Sequence, residues 1–200
     1  MRPAAWWAAV LLVSALSPIG RLDREVRVLV QRGRHPALEG VMSVSSHGLE
    51  GWRLAAMLGA IALIDRAAGP ATVGLALVAA VPTNLTVEGL KRLVQRPRPN
   101  GKASPSNSSF PSSHAANAFA LAVILSRRWR RGWPLFLALG LLVAYSRMYL
   151  DRHYLSDVVA GAAIGAASAA LTVRWLGKRL LPATARRDEK PPTLVPPRAL

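Results

Sequence analysis

Ala71-Thr72-Val73-Gly74-Leu75-Ala76-Leu77-Val78-Ala79-Ala80-Val81-Pro82-Thr83-Asn84-Leu85-Thr86-Val87-Glu88-Gly89-Leu90 is an apolar run that ends on Lys91-Arg92-Leu93-Val94-Gln95-Arg96-Pro97-Arg98-Pro99. The run has the roughly 20 residues that a helix needs to cross a hydrocarbon core. Its end is cationic, and Pro97 and Pro99 stop the helix there. Five further apolar segments, at 5–19, 54–68, 115–125, 135–149 and 158–176, complete a predicted all-α integral membrane bundle of about six transmembrane helices. Several are short, and flanking residues, tilt and local thinning make up the difference. Trp52, Trp129, Trp133 and Trp175 lie near predicted helix ends, as an interfacial belt requires. Gly161, Ala162, Ala163, Gly165, Ala166 and Ala167 make the last helix narrow enough for close helix–helix packing.

The whole composition agrees. Of 200 residues, 52% are hydrophobic, and the mean hydropathy is +0.25, where a soluble domain rarely turns positive. The net charge of +16 suits nucleic acid, anionic lipid or phosphate. Nucleic acid fits poorly, because the basic residues punctuate apolar runs and form no single stripe. The absence of cysteine excludes disulfides, thiolate zinc ligands and a thiol nucleophile.

The chain divides into a first transmembrane segment at 1–20, a core at 21–177 and a Pro/Arg-rich tail at 178–200 expected to be disordered. The first segment has a signal-like form, but Ala15-Leu16-Ser17 is a mediocre cleavage site, so it reads better as an uncleaved helix. Residues 21–47 mix Leu22, Val26, Val28, Leu29 and Val30 with arginine, which predicts an amphipathic helix lying in the interface. Helix parity puts three polar clusters on one side of the membrane: Lys91 to Pro99, Pro111-Ser112-Ser113-His114, and Ser146 to Asp157. Arg127-Arg128-Trp129-Arg130-Arg131 then falls on the opposite side and reads as a cytoplasmic anchor, which makes the polar face extracytoplasmic. The arginines of 21–34 pull weakly the other way.

The clusters suit phosphate chemistry. His153 and Asp157 are four apart and share a helical face. A carboxylate on one ring nitrogen would fix the tautomer and leave the other nitrogen free to attack phosphorus. Taken alone, the pair reads more readily as an ordinary interfacial pair with a capping role. Ser112 or Ser113 is placed to cap a helix whose free N–H groups bind anions, and His114 is placed to protonate a leaving oxygen. Arg98 and Arg147 match phosphate bidentately, and Lys91 supplies a point charge. Arg92 and Arg96 are expected to be interfacial anchors. Glu88 is expected to form a helical ion pair, three residues before Lys91 and four before Arg92. His47 reads as a polar interface residue, and His35 has no partner in the sequence.

The combined spacing, Lys91 to Arg98-Pro99, then Pro111 to His114, then Ser146-Arg147 to His153 and Asp157, resembles the three-part signature of the type 2 phosphatidic acid phosphatase (PAP2) superfamily. The resemblance implies His153 as nucleophile, Asp157 as its orienter and His114 as general acid. Lys91, Arg98, Ser112, Ser113 and Arg147 would hold the phosphate, with Ser113 contributing its backbone N–H. Ser113 stands where the family most often has glycine. The resemblance also implies chemistry without a metal or other cofactor, and the sequence has no HExxH and no acidic cluster for zinc or paired magnesium. The expected enzyme removes phosphate from a membrane lipid phosphate or diphosphate of polyprenyl, phosphatidylglycerophosphate or phosphatidic acid type. The rivals are a phosphotransferase using the same intermediate and a non-enzymatic lipid-headgroup binder. The haloperoxidases of the superfamily fit poorly, since the short apolar chain leaves no room for a soluble helical domain.

Overall fold

The computed structural model of the chain describes residues 17–48, 51–101 and 108–180, with only the backbone described at 51–53 and 178–180. Among the described residues it is helical throughout: α1 Pro18–Arg32, α2 Pro36–His47, α3 Gly51–Ile64, α4 Gly69–Val94, α5 Ser113–Arg128, α6 Trp133–Tyr149 and α7 Leu155–Leu180, with a 3₁₀ turn at Arg130–Gly132. The apolar segment at 5–19 lies almost wholly outside the described residues, as does the tail beyond Leu180. The other five apolar segments fall on α3 to α7.

Packing follows the logic of a membrane bundle. Large apolar side chains point outward, among them Leu63, Ile64, Leu85, Leu135, Leu141 and Leu171. The buried core is built from small ones, including Ala79, Ala115, Ala116, Ala120 and Ala169. Lipid tails are as apolar as leucine, so close backbone approach matters more here than hiding bulk. α5 sits at the centre and packs most heavily on α7, then on α6 and α4. Gly161 and Gly165 make the α5–α7 contact possible. A Cβ at Gly165 would overlap the backbone of Ala116, and one at Gly161 would overlap the carbonyl of Ser112. The α7 glycines therefore seat the turn that opens α5. Two helices, Gly69–Val94 and the Leu155–Gly177 part of α7, are long and apolar enough to cross a bilayer unaided.

The two ends of the bundle differ. At one end Arg128, closing α5, donates to Asp65 in the α3–α4 connection at 2.5 Å. This pairing brings the α3–α4 and α5–α6 connections together. Trp133 and Trp175 are exposed on the helix portions that lead to this end. The three polar clusters gather at the other end.

Residues 21–47 are not one interfacial helix. Gly33 and Pro36 break the stretch into α1 and α2. His35 caps α2 by accepting from the Ala37 N–H at 3.3 Å. Its backbone N–H and carbonyl are both held by the hydroxyl of buried Tyr149, at 2.8 and 2.9 Å. The amphipathic reading of α1 holds, but its polar stripe faces protein. Asp23, Arg27 and Gln31 recur every fourth residue and dock on the start of α7, the α6–α7 connection and the end of α6. Arg27 grips Asp151 bidentately, both contacts at 2.8 Å, and the Gln31 amide donates to the Met148 carbonyl at 3.0 Å.

Candidate active site

The first cluster ends a helix, as the prolines predict. α4 stops after Val94, and Gln95 adopts a left-handed φ of 46° while its N–H bonds back to the Lys91 carbonyl. Lys91 is half-buried in the last turn, and its Nζ lies 3.4 Å from the Ser113 hydroxyl. Arg98 and Arg147 are close enough for their charges to act on Lys91. Arg92 is exposed and pairs with Glu88 at 3.3 Å, the helical ion pair expected for that acid.

The second cluster opens α5. Ser112 is the N-cap, accepting from the Ala115 N–H at 3.4 Å. Its own N–H is committed to the Asp157 carbonyl at 3.0 Å, and the residue is fully buried. Ser112 thus ties the α5 start to α7, and the helix N-terminus that an anion would meet begins at Ser113. Ser113 and His114, both half-exposed, occupy the first turn beyond the cap.

The third cluster connects α6 to α7. His153 is 3% exposed. Its Nδ1 lies 2.7 Å from the Ser109 carbonyl. A carbonyl only accepts, so Nδ1 carries the proton and Nε2 keeps its lone pair. This corrects the expectation that Asp157 fixes the ring through a hydrogen bond. Asp157 Oδ2 is 3.8 Å from Nδ1, an electrostatic partner in place of a bonded one. The carboxylate is engaged elsewhere: Oδ2 accepts from the Tyr154 N–H at 2.8 Å, capping α7 in the manner of an acidic third residue. Oδ1 accepts from Arg96 Nη1 at 2.7 Å. Burial pushes the His153 imidazole below the ordinary histidine range, against the pull of Asp157 and with Arg147 and Arg98 adding to the push. The ring is therefore neutral at neutral pH, the form in which it can attack. Arg147 is buried, and its guanidinium donates to Ser46 at the end of α2. The neighbouring His47 turns back to its own helix and bonds the Ser43 carbonyl at 2.7 Å.

Arg96 is not an interfacial anchor. It reaches Asp157, the Ser156 hydroxyl at 2.7 Å and Asp23 of α1 at 2.8 Å. It also stacks on the Tyr154 ring, 4.2 Å from the centroid. Asp23 is 2% exposed. It accepts the Ser156 N–H at 2.8 Å and the Ser156 hydroxyl at 2.6 Å. On sequence alone Asp23 and the Ser109 carbonyl have no role, and Arg96 is only an anchor. The fourfold recurrence of Asp23, Arg27 and Gln31 was the one available signal for the first.

The three clusters therefore meet at one end of the bundle, joined by contacts among Lys91, Ser113, Ser112, Asp157, Arg96, Ser109 and His153. Residues 70–181 match the family model of the PAP2 superfamily, and this span holds all three clusters. The chain belongs to the PAP2 superfamily. Decaprenylphosphoryl-5-phosphoribose phosphatase of Mycobacterium tuberculosis is 39% identical over 127 residues, covering 60% of this chain and 69% of that protein. The crystal structure of Aquifex aeolicus LpxE superposes with a TM-score of 0.68 at 26% identity, over 77% of this chain and 96% of that one. The transmembrane PAP2-type phosphatidylglycerolphosphate phosphatase of Bacillus subtilis gives 0.69 over 88% and 94%, and at 22% identity it speaks for the fold. This PAP2 chain is a membrane phosphatase with an all-helical bundle, as the polar clusters and the apolar exterior required.

Proposed function

We propose that the chain hydrolyses a polyprenyl-type lipid phosphate or diphosphate at the extracytoplasmic face, with His153 as nucleophile and His114 as general acid. The observation that carries the lipid assignment is an open groove of about 630 Å³ along α4. It runs from Ala80 and Val81 past Asn84 and Leu85 to Lys91 and Ser113. From position 80 to 91 is eleven helical steps, about 16 Å. An open groove of that length, apolar at Ala80, Val81 and Leu85 and polar at Glu88, Lys91 and Ser113, suits a lipid chain ending in phosphate. The relative that acts on a decaprenylphosphoryl sugar phosphate favours an isoprenoid chain.

The chemistry follows from the tautomer. His153 Nε2 attacks phosphorus, and the bond from phosphorus to the lipid oxygen breaks. His114 gives its proton to the departing oxygen. Water then attacks the phosphohistidine, His114 takes the water's proton, the N–P bond breaks, and inorganic phosphate leaves with His153 neutral again. Lys91, Arg98 and Arg147 offset the charge on the equatorial oxygens, and the Ser113 amide at the start of α5 adds a donor. Ser112 holds these parts in register.

Two outcomes test this reading. Purified protein in detergent should release phosphate from a polyprenyl phosphate in excess EDTA, and vanadate should inhibit it as a pentacoordinate mimic. Activity lost to EDTA and restored by magnesium would overturn the mechanism. Sidedness is tested separately. The chain has no native cysteine, so Ser106→Cys and Arg131→Cys report cleanly. An impermeant maleimide applied to intact cells should label position 106 and spare position 131. The reverse pattern would place the reaction at the inner leaflet and invert the pass order assigned from the arginine-rich α5–α6 connection.

A further inference from the structure

α1 lies outside the segment that matches the superfamily, yet it sends a buried acid to the reaction centre. Asp23, Arg96 and Asp157 form a chain of alternating charge, carboxylate–guanidinium–carboxylate, with contacts of 2.8 and 2.7 Å. Ser156 braces one half of it, accepting from Arg96 and donating to Asp23. We propose that Asp23 and Arg96 are positioning residues for the phosphoryl transfer: Arg96 locks the Asp157 carboxylate beside His153, and Asp23 balances the charge that Arg96 brings. The inference rests on the reading of His153 as nucleophile.

The physical need is one of net charge. Attack by Nε2 leaves a phosphoimidazole ring that keeps its Nδ1 proton and carries positive charge. Asp157 is the anion beside that ring, at 3.8 Å. An uncompensated Arg96 would cancel Asp157 and expose the ring to net positive surroundings, since Arg147 and Arg98 already act on it. With Asp23 in place the trio carries one net negative charge, and the ring retains a counter-ion. Arg96 meanwhile gives Asp157 a fixed rotamer, because both of its Nη atoms and its stacking face are engaged. α1 is itself anchored to the same connection by Arg27 and Asp151, so Asp23 is held where the balance requires it.

The groups facing His153 are Asp157 from α7, Arg147 from α6, Arg98 after α4 and, through Asp157, Arg96 and Asp23. The acid limb of kcat/KM reports protonation of His153 in the free enzyme. Asp23→Asn removes a negative charge, so the limb should move to lower pH. Rapid-quench formation of the phosphoenzyme should slow by about 10- to 100-fold, the range seen for outer partners of a working histidine. Arg96→Gln removes a positive charge and should move the limb to higher pH. The double variant Asp23→Asn/Arg96→Gln restores the net charge with near-isosteric amides. It should regain about tenfold over Asp23→Asn alone, a coupling of the size that contacting charges show. Structural damage would not shift the two single variants in opposite directions. If Asp23→Asn does not accumulate, the upward shift of Arg96→Gln carries the test. Limbs that stay put, or a double variant no faster than Asp23→Asn, would overturn the charge-balance role. Failure of the parent protein to trap label on His153 would instead overturn the nucleophile assignment.

Discussion

His153→Ala abolishes lipid-phosphate hydrolysis and phosphoenzyme formation together: this is the largest effect expected of any single substitution in the chain. The side chain is 3% exposed and its Nδ1 is committed to the Ser109 carbonyl at 2.7 Å. One ring nitrogen with a lone pair remains, and alanine removes it without disturbing a charge. Losing a nucleophile of this kind costs roughly 10⁴–10⁶-fold in kcat. The phosphate cradle should survive, because Lys91, Arg98 and Arg147 belong to other elements, so the variant should still bind inorganic phosphate while losing the pentacoordinate vanadate adduct. Rapid trapping with labelled substrate under an alkaline detergent quench, in which phosphohistidine is stable, is the measurement. A variant that still traps label, or turns over at the parent rate, would remove His153 from the nucleophile role. Asp157→Asn should be milder. The Ser109 carbonyl, and not Asp157, fixes the tautomer, so asparagine removes counter-charge and leaves the ring oriented.

That distinction between Asp157 as anion and Asp157 as orienter marks how far the sequence can be read. The helix ends were legible because hydropathy, proline and charge break together there. Lys91 closes α4, Ser112 caps α5, and His153 precedes α7, each at an abrupt change from apolar to polar sequence. The i,i+4 spacing of His153 and Asp157 was legible too, and they do share a face. What spacing cannot show is competition for a carboxylate. Asp157 is taken by Arg96, 61 residues away, and by the start of its own helix. The Ser109 carbonyl that replaces it comes from 44 residues away and carries no side-chain signature.

α1 shows the same limit at a larger scale. Its arginines and valines satisfy an interfacial helix and a docked helix equally, since both need one apolar and one polar face. The choice depends on whether the polar face finds partners. Those partners are Asp151 and Ser156, 124 and 133 residues along the chain. Arg96 was misread for a related reason. It stands in a cluster of four cations at a helix end, where snorkelling is the ordinary fate. Only the fold separates Arg92, exposed beside Glu88, from Arg96, clasped between two buried carboxylates.

His114→Ala gives the second largest effect, and its dependence on the leaving group separates the two histidines. His114 lies in the first turn of α5, one residue past Ser113, whose hydroxyl touches Lys91. Ser113 lines the α4 groove, so in the proposed mechanism the lipid oxygen departs beside the turn that carries His114. A lipid alkoxide is a poor leaving group and needs a proton as the bond breaks. General acid catalysis of this sort contributes about 10²–10⁴-fold. The variant should lose that much on a polyprenyl phosphate. On p-nitrophenyl phosphate, whose phenolate leaves without a proton, most of the phosphorylation rate should return. Label should then accumulate on His153, because the water that clears the phosphohistidine has also lost its base. His153→Ala allows no such rescue on either substrate, since the proposed nucleophile is missing whatever the leaving group. Equal losses on both substrates would remove His114 from the acid role and leave it as one more phosphate contact.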